Sequence, residues 1–534
     1  MAGGGLMQLV AYGAQDVYLT GNPQITFFKV IYRRHTNFSM ESIEQTFNGQ
    51  ADWGKKVTCP ISRNGDLIGR VYLRVEIPDV TVRAPTTSDT AYGFRWLNSL
   101  GHILTKTVEI EIGGQKIDKL YGEWLHIWNE LTQTAGHSLG YANMIGNTPD
   151  MNERQVIYMT SSGDVKVLGS DETQLVIKGK PLYIPFQFWF CRHTGLALPL
   201  IALQYHEVKM TIELRDVRDC YWAGMTTLDN DMPDDTKWTT DLGIVTPGSL
   251  PSASLFVNYV YLDSHERRRF AQITHEYLID QLQFTGDEST SQVSNKFKLN
   301  FNHPVRELIW TVQPEDHLDD GDNGKQWFNF TDDHQITDGS DVLGGGAAGG
   351  AQYIHTSTFF GKGENPVKLC KIQLNGHDRF SERDGRYFNL VQPYEFHENV
   401  PSKGINVFSF GIKPEDFQPS GTCNFSRIDN ATLNLHLTDK AVRTSNGSRS
   451  CNIKIFARNI NVLRIISGMG GLIGLIAAWV LCLNTFVQTL SHVIAGPKSS
   501  RPQIFGYSVE NSFVLPMAPF TQTESCQRQL LVAC

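Results

Sequence analysis

The sequence predicts an all-β protein built as two similar β-sandwiches in tandem, with long surface loops and a few short helices. Three observations point to this class. The chain has 534 residues, which is too long for one hydrophobic core. Only 19% of the residues are charged and 11% are aromatic, a composition suited to burying large surfaces. Short runs of alternating apolar and polar residues also recur between Gly and Pro, as in the strands of a sandwich.

Residues 181–214 predict two strands joined by an apolar connection. In the first, one face carries alternating apolar side chains and the other carries further apolar bulk, so we expect a strand buried on both sides through Phe190. These side chains are Leu182, Ile184, Phe186, Phe188 and Phe190 on one face, and Tyr183, Trp189 and Cys191 on the other.

The second strand of this stretch, residues 206–214, alternates without interruption. The alternation predicts that one set of side chains points into a core and the other set points outward. The inward set is Val208, Met210, Ile212 and Leu214, and the outward set is Glu207, Lys209, Thr211 and Glu213.

The two halves of the chain repeat each other at low identity. Aligning Phe47 with Phe284, an offset of 237 residues, pairs apolar positions while keeping their face parity. The paired positions are Val71 with Leu308, Leu73 with Trp310, and Val75 with Val312. Residues 110–115 likewise resemble 372–377, and residues 208–214 parallel 431–437. Two copies of a many-stranded sandwich with Gly and Pro turns indicate a double jelly roll.

Insertions separate the repeated parts. A helix with an apolar stripe is expected over residues 120–131, and the polar segment 132–180 follows it. Residues 315–366 form a second, acidic insertion that ends in Gly- and Ala-rich sequence. We expect a third segment, residues 219–254, to belong to the link between the two sandwiches.

Seven sequence blocks, in a fixed order over about 455 residues, resemble the major capsid proteins of the nucleocytoplasmic large DNA viruses. The blocks are residues 15–29, 121–125, 196–208 (LALPLIALQYHEV), 266–272, 303–310, 375–380 and 461–471. The resemblance implies a double jelly-roll subunit that forms homotrimers, which serve as pseudo-hexagonal capsomers of an icosahedral shell. It also implies outward loops, an inner N-terminal arm, and a virion protein assembled in the host cytoplasm.

This resemblance suggests four parts of the chain. They are an N-terminal arm (1–29), an N-terminal jelly roll with its linker (30–262), a C-terminal jelly roll (263–466) and an atypical apolar tail (467–534). The partners that it implies are further copies of the chain, minor capsid proteins, an inner viral membrane and glycans on the outer loops. The alternative function is that of a jelly-roll carbohydrate-binding surface protein, or a minor capsid protein, that recognises host glycans.

Charge and cysteine content argue against two classes of function. The net charge is −8, and the two basic clusters, Arg33 to His35 and Arg267 to Arg269, are short, so direct nucleic-acid binding is not expected. The nine cysteines are irregularly spaced and include no C-x-x-C, which argues against zinc and against a disulfide framework. We expect reduced thiols, with Cys191 acting as a small core residue.

No enzyme site is predicted: we expect no catalytic residue, no cofactor-binding residue and no metal ligand. No two histidines are two positions apart, as a cupin metal site needs, and Gly344 to Gly350 lacks the Lys of a phosphate-binding loop. Asp319 to Gly324 resembles a calcium loop but has Gly321 at its third position and Phe330 at its twelfth. Ser264 and His265 are merely adjacent. We expect the five N-x-S/T sites, at Asn37, Asn329, Asn424, Asn430 and Asn446, to be unmodified.

The two ends of the chain raise separate questions. The N-terminus lacks the charged and apolar regions of a signal peptide. At the other end, residues 465–497 contain no Lys, Arg, Asp or Glu, and residues 472–483 are the most apolar part. This tail departs from the resembling family, and three interpretations stay open: an unselected extension, a segment packed on the shell's inner face, or a membrane anchor.

Overall fold

The computed structural model describes residues 3–170, 172–229, 232–233, 238–319, 324–333, 363–444 and 447–472. Eight strands form the first barrel. They are β1 (Phe38–Gln45), β2 (Lys56–Pro60), β3 (Leu67–Glu76), β4 (Thr105–Ile112), β5 (Gln115–Tyr121), β6 (Pro181–Pro185), β7 (Val208–Leu214) and β8 (Ser252–Leu262). They pair antiparallel in two sheets, ordered β1-β8-β3-β6 and β2-β7-β4-β5.

The second barrel repeats this arrangement. Its strands are β9 (His275–Phe284), β10 (Ser294–Lys298), β11 (Pro304–Pro314), β12 (Val367–Leu374), β13 (His377–Asp378), β14 (Ile405–Ser409), β15 (Ala431–Leu437) and β16 (Cys451–Ile466). The sheet orders are β9-β16-β11-β14 and β10-β15-β12-β13, the same as in the first barrel. The double jelly roll is therefore confirmed.

The predicted internal repeat also agrees with the strands. β3 and β11 begin 237 residues apart, at Leu67 and Pro304, which is the offset found from Phe47 and Phe284. β7 and β15, predicted to be equivalent, occupy the same position in their sheets. In β7, Val208, Met210, Ile212 and Leu214 are all buried, as their spacing predicts.

The strand predicted to run through Phe190 is shorter than expected. β6 ends at Pro185, Tyr183 on its outer face is 39% exposed, and residues 189–192 form a helical turn. Phe186, Phe188, Phe190 and Cys191 are nevertheless buried. These side chains are buried in an aromatic cluster in which Phe188 stacks on Phe190. A short apolar run in a sequence does not show whether it forms such a cluster or a strand.

Helices are few and short, as predicted. They are α1 (Gly4–Val10), α2 (Asp16–Thr20), α3 (Leu100–Leu104), α4 (Gly122–Thr132), α5 (Ser138–Ile145), α6 (Pro149–Asn152), α7 (Trp189–Arg192), α8 (Ser264–Gln272), α9 (Gln392–Phe396) and α10 (Asp439–Val442). A single π-helical turn, Tyr387–Val391, runs directly into α9. The predicted helix over residues 120–131 begins at Gly122, because Leu120 and Tyr121 belong to β5.

Three connections of the first barrel contribute strands to a further sheet, which we call the insertion sheet. Its principal strands are Thr90–Trp96, Gln155–Met159, Val165–Val167 and Tyr221–Asp229, with Met232–Pro233 and Thr239–Thr240 at one side. Residues 219–251 therefore lie between β7 and β8, residues 252–254 begin β8, and our assignment of the segment 219–254 to the link between the barrels was wrong. The link is the short stretch around α8. Two further short strands, Val80–Val82 and Leu175–Ile177, pair with each other in a separate two-stranded sheet.

Most of the remaining short strands pair with strands of the two barrels. Glu288–Thr290, Arg383–Asp384, Cys423–Asn424 and Met469–Leu472 pair with β16, β12, β11 and β16 respectively, while Arg443–Thr444 pairs with Gly447–Ser448. Leu198–Pro199 adds to β3 in the first barrel.

Two hydrophobic cores hold the molecule together. The second barrel has its own core, around Leu308, Trp310 and Leu433. The larger core fills the first barrel and continues into residues of the second barrel, including Ile309 and Phe456. The two barrels are thus joined through buried apolar contacts.

Several predicted features lie at the edges of the described structure. Residues 3–37 form an arm on which many large apolar side chains, among them Phe27, Phe28 and Tyr32, are exposed. Residues 320–323 of the calcium-like loop, Gly344 to Gly350, Asn446 and the tail from residue 473 lie outside the described residues. Within the ranges that are described, no helix has the length and apolarity needed to cross a bilayer.

Candidate functional site

A buried contact lies where the two barrels meet, a region we call the seam. β5 and α4 of the first barrel pack there against the outer face of the sheet β9-β16-β11-β14. The ring of Trp124 lies 5.5 Å from that of Phe456, and Tyr121 lies 5.0 Å from Phe284. α4 fits this place because its apolar stripe faces the sheet while its first turn carries Glu123, which pairs with Lys454 at 3.4 Å.

Charged groups are buried in the seam, next to α4. Arg458 Nη1 donates to Glu307 Oε1 at 2.8 Å, and the guanidinium also stacks on Trp128 at 4.6 Å. His397 bridges two carboxylates, with Nε2 3.0 Å from Glu307 Oε2 and Nδ1 2.7 Å from Glu415 Oε1. Because the side chains of His397, Glu307 and Arg458 are almost fully buried, each charge depends on its partner.

The pKa values of these groups follow from burial and pairing. Burial alone would lower the pKa of His397, but the carboxylates of Glu307 and Glu415 outweigh it and raise the pKa to about 9. Burial would raise the pKa of Glu307, but Arg458 and His397 lower it to about 2. Burial raises the pKa of Asp118 to about 7, against the opposing hydrogen bonds from the backbone N–H groups of Leu282 and Lys119. Near neutral pH, His397 is therefore protonated and Glu307 is ionised, so ion pairs stabilise the seam.

A hairpin at the end of the second barrel ties it to the first. Met469–Leu472 pairs with the end of β16 through a two-residue turn at Ser467 and Gly468. The backbone N–H of Tyr205 donates to Gly468 O at 3.0 Å, and the N–H of Gly470 donates to His206 Nδ1 at 3.2 Å. The segments in this contact are those of the LALPLIALQYHEV block and of the block ending at Gly471.

A cavity of about 160 Å³ opens beside the seam, between Trp189, Arg192, Asp280, Glu415 and Phe417. Pockets that enclose drug-sized ligands usually measure about 300–1,000 Å³. Asp280 already lies 3.6 Å from Arg192 and from Arg458. The cavity is thus a gap between ion-paired side chains rather than a ligand site.

Three side chains of the second barrel resemble a nucleophile, a base and an acid. Ser294 Oγ lies 2.8 Å from His436 Nδ1, and His436 Nε2 lies 3.3 Å from Glu382 Oε1. His436 and Glu382 are about 40% exposed on the outside of the sheet. Neither of the cavities described for this structure includes them, and catalysis of acyl transfer also needs donors aimed at an oxyanion. The three side chains form a hydrogen-bonded cluster on the surface.

The metal and modification candidates from the sequence can be placed individually. In the described ranges no three His, Cys, Asp or Glu residues are grouped so as to hold a metal ion. Asn37, Asn424 and Asn430 are exposed. Asn329 is buried and its side-chain amide donates to Gln326 Oε1 and Asp333 O, so a glycan could not be attached there without local opening.

Exposed aromatic side chains distinguish a glycan-binding surface from an assembly surface. In the described part of the insertion sheet and its loops, Leu139 and Leu168 are the large apolar residues that are exposed, and none of the exposed ones is aromatic. Large apolar side chains are exposed instead on the flanks of the barrels, among them Met40, Tyr183, Leu390 and Tyr394. This distribution favours side-to-side contacts between proteins.

The sequence analysis predicted no site residues and so did not anticipate the seam. Glu307, His397 and Arg458 are separated by up to 151 residues and follow no spacing motif. The one available signal was charge inside otherwise apolar strands, at Glu307 and Arg458, because buried strands rarely carry unpaired charges.

Comparisons with known proteins agree along the chain. The family model described as "Major capsid protein N-terminus" matches residues 26–263, and the one described as "Large eukaryotic DNA virus major capsid protein" matches residues 266–471. The chain is 48% identical over 530 residues to the major capsid protein of Phaeocystis pouchetii virus, covering 88% of this chain and 99% of the relative. It is 40% identical to the major capsid protein of Paramecium bursaria Chlorella virus 1, with coverage of 88% and 99%.

Solved structures show the same relationship. The PBCV-1 VP54 crystal structure fitted into a reconstruction of the virophage Sputnik matches with a TM-score of 0.60 at 35% identity, covering 84% of this chain and 99% of that one. The Faustovirus major capsid protein matches with a TM-score of 0.60 at 15% identity, with coverage of 85% and 94%, which supports the fold alone.

Proposed function

This chain belongs to the family of large eukaryotic DNA virus major capsid proteins, and we propose that three copies close into a pseudo-hexagonal capsomer of an icosahedral shell. The observation that carries the proposal is the joining of two barrels of the same topology by a buried seam. Three such pairs supply six similar barrels, which is the number that a six-cornered tile needs. Closed rotational symmetry is also the usual arrangement of identical subunits.

The proposed role resides in surfaces and includes no enzymatic activity. The buried polar groups of the seam pair with one another, and the Ser294, His436 and Glu382 cluster lies on an open surface. The alternative of a glycan-recognising surface protein has less support, because the described insertion sheet exposes no aromatic side chain of the kind that stacks on sugars.

We assign the protein to the virion and propose that it is assembled in the host cytoplasm. Its proposed partners are other copies of the chain first, then minor capsid proteins, glycans at exposed loops, and an inner membrane, without direct nucleic-acid binding. The net charge of −8 and the shortness of the basic clusters support the last point. The exposed apolar arm supplies surface for an inner partner.

The membrane partner can be tested with two chains, the full length and a chain ending at Leu472. Flotation of both with liposomes supports a tail anchor if only the full-length chain floats. Flotation of neither chain contradicts a membrane partner, and flotation of both places the contact in the arm or the barrels.

Native mass spectrometry and electron microscopy of the purified protein test the trimer. We expect a mass of three chains, a roughly hexagonal outline, and interfaces that each bury at least about 2,000 Å², the range of permanent assemblies. A stable, well-folded monomer at micromolar concentration would contradict the proposal.

A further inference from the structure

The second barrel reaches into the first through a short stretch between β11 and β12. We call residues 324–330 the inserted segment. The indole N–H of Trp327 donates to Asp219 O at 2.9 Å, in the connection between β7 and β8. Phe328 is 5% exposed and belongs to the core that fills the first barrel. The inserted segment is thus a buried contact between the two barrels.

Two buried histidines lie against this segment. His102 of α3 and His126 of α4 are 0% and 2% exposed, and their ring centroids are 5.9 Å apart. The ring of Phe328 stacks on His126, with the centroids 4.1 Å apart and the planes inclined by 16°. The same ring meets His102 edge-on, at a centroid distance of 6.3 Å. Both imidazoles therefore contact each other and the inserted segment.

The hydrogen bonds of the two rings suit neutral imidazoles. His102 Nε2 lies 2.7 Å from the hydroxyl oxygen of Tyr141 on α5. Among the residues that the structure describes, His102 Nδ1 and His126 Nε2 are buried and have no hydrogen-bond partner. A neutral imidazole carries one N–H, so its other nitrogen can stay bare, whereas an imidazolium carries an N–H on both nitrogens. Protonation of either ring in place would therefore bury a charged N–H that has no acceptor.

The charged groups of the surrounding elements are already engaged elsewhere. Glu130 Oε1 lies 3.9 Å from His126 Nε2, which is too long for a hydrogen bond, and Glu130 Oε2 accepts from the N–H of Ser402. β6 carries no charged residue, and Tyr141 is the titratable residue of α5. The other charged groups are Lys325 paired with Asp219, Arg215 paired with Glu123, Lys106 paired with Glu213, Glu109 paired with Lys116, and Arg95 of the insertion sheet. Each of these carboxylates thus has a partner other than the two histidines.

Burial makes this contact depend on pH. It lowers the pKa of His126 from 6.5 to about 3, and burial together with the nearby His126 lowers the pKa of His102 well below 6.5. Above pH 6.5 both rings are neutral whether the inserted segment is packed or released. As the pH falls below 6.5, a released histidine takes up a proton and a packed one does not, so the packed state loses stability. At pH 5 each histidine favours release about 30-fold, and the two together about 1,000-fold.

We propose that His102 and His126 form an acid-sensitive switch that holds the inserted segment on the first barrel at neutral pH and releases it in an acidic compartment. The switch lies within one chain, so it does not depend on the trimer proposed above. Release exposes the rings of Trp327 and Phe328 and removes one of the contacts that join the barrels. A shell subunit with this property keeps its barrels joined at neutral pH and loosens after uptake into acid.

Hydrogen–deuterium exchange of the full chain, followed by mass spectrometry at pH 7.5 and pH 5.0, measures release locally. After correction for the intrinsic exchange rate, the peptide with the hydrogen-bonded N–H groups of Gln326 and Asn329 reports on the inserted segment. A local readout is needed because Asp118 and His397, whose pKa values are raised, stabilise the folded chain as the pH falls through this range. Unfolding of the whole chain therefore combines effects of opposite sign.

Three variants and one matched control separate the two histidines from other groups. His126→Phe keeps a ring that can stack on Phe328. His102→Gln keeps a side chain that can bond to the Tyr141 hydroxyl, and the double variant combines both changes. The control is His137→Gln, because His137 is exposed between α4 and α5. From pH 7.5 to pH 5.0, we expect the protection of the inserted segment to fall about 1,000-fold in the unmodified chain and the control, about 30-fold in each single variant, and hardly at all in the double variant.

A fall in protection that is confined to the inserted segment, α3 and α4 supports the switch. The proposal is overturned if the unmodified chain keeps its protection at pH 5.0, or if the double variant loses as much protection as the unmodified chain. An equal loss of protection in β7 also overturns it, because the whole barrel then unfolds. Should the double variant fail to fold at pH 7.5, His126→Phe alone decides, since its fall must be about 30-fold smaller than that of the unmodified chain.

Discussion

At the scale of single residues, the buried charges of the seam make stability depend on pH. The ordinary pKa of histidine is 6.5, and in the folded chain the pKa of His397 is raised to about 9. A raised pKa means that the stabilisation is complete below pH 6.5 and is lost as the pH rises through 9. A difference of this size corresponds to about 3 kcal/mol.

We predict that the free energy of unfolding falls by about 2 kcal/mol between pH 7.5 and pH 10, because His397 loses its proton between Glu307 and Glu415 and about 1 kcal/mol of the stabilisation is already lost between pH 6.5 and pH 7.5. The measurement is denaturant unfolding at a series of pH values. Starting at pH 7.5 avoids most of the titration of Asp118, whose pKa is about 7. His397→Gln should remove most of this fall. Parallel curves of unfolding free energy against pH for the variant and the unmodified chain would show that the ion pairs of His397 do not stabilise the fold.

The alternation in β7 supports a second prediction. Met210 is completely buried, whereas Lys209, in the adjacent position, is about 40% exposed and pairs with Glu207 at 3.0 Å. Met210→Asp should prevent folding because it buries an unpaired charge at a cost of several kcal/mol. Lys209→Asp should cost no more than about 1 kcal/mol, as exposed ion pairs usually do. Soluble expression and thermal melts compare the two, and equal effects would show that the assigned faces are wrong.

The pattern of apolar and polar residues predicts which side chains are buried better than it predicts the backbone conformation. The period of two in β7 identified its inward side chains because one face of that strand packs in the barrel core, although Thr211, predicted to point outward, is also buried. At Phe186 to Cys191 both faces of the pattern are apolar, so burial was predicted and the helical turn of α7 was not. His397 could not be found from sequence, since its partners come from two distant segments.

At the scale of elements, two hairpins offer a matched comparison. β12 and β13 are joined by Asn375 and Gly376, and β16 is joined to Met469–Leu472 by Ser467 and Gly468. The glycines have φ of +83° and +84°, as a two-residue hairpin turn requires. A Cβ at Gly376 would meet no atom within 4 Å, while one at Gly468 would lie 2.6 Å from the ring of Tyr205.

Gly376→Ala should therefore destabilise the chain by about 1 kcal/mol, from backbone strain alone. Gly468→Ala should cost about 1 kcal/mol more, because the ring of Tyr205 must leave its place against the hairpin. Equilibrium unfolding of both variants measures the difference. Equal costs would mean that the ring of Tyr205 can move away without loss, and that its packing against the hairpin does not stabilise the chain.

The order of elements could be predicted where the two barrels repeat the same strands. It could not be predicted where strands from separate insertions pair with one another. The offset between Phe47 and Phe284 located β3 and β11 because the two barrels share their topology. The third insertion was misplaced because its strand, Tyr221–Asp229, pairs with Thr90–Trp96, a partner that local sequence does not reveal.

At the scale of the whole molecule, the shared core makes the second barrel dependent on the first. Ile309, Ile405, Val407 and Phe456 would be exposed if residues 263–472 were made alone. We predict that this fragment is insoluble or binds hydrophobic dyes, and that co-expression with residues 1–262 restores it. The full chain up to Leu472 should unfold in one transition. A soluble fragment with a melt of its own would contradict the dependence.

The insertion sheet has a consequence for how such a protein can vary. Its strands leave the first barrel between β3 and β4, β5 and β6, and β7 and β8, and they pair mainly with one another. Lengthening or replacing these segments therefore leaves the registers of β1 to β8 unaltered, and with them the seam. The sequence and length of these segments can therefore diverge while the two barrels keep their spacing, so grafted foreign peptides are best placed in the turns of this sheet.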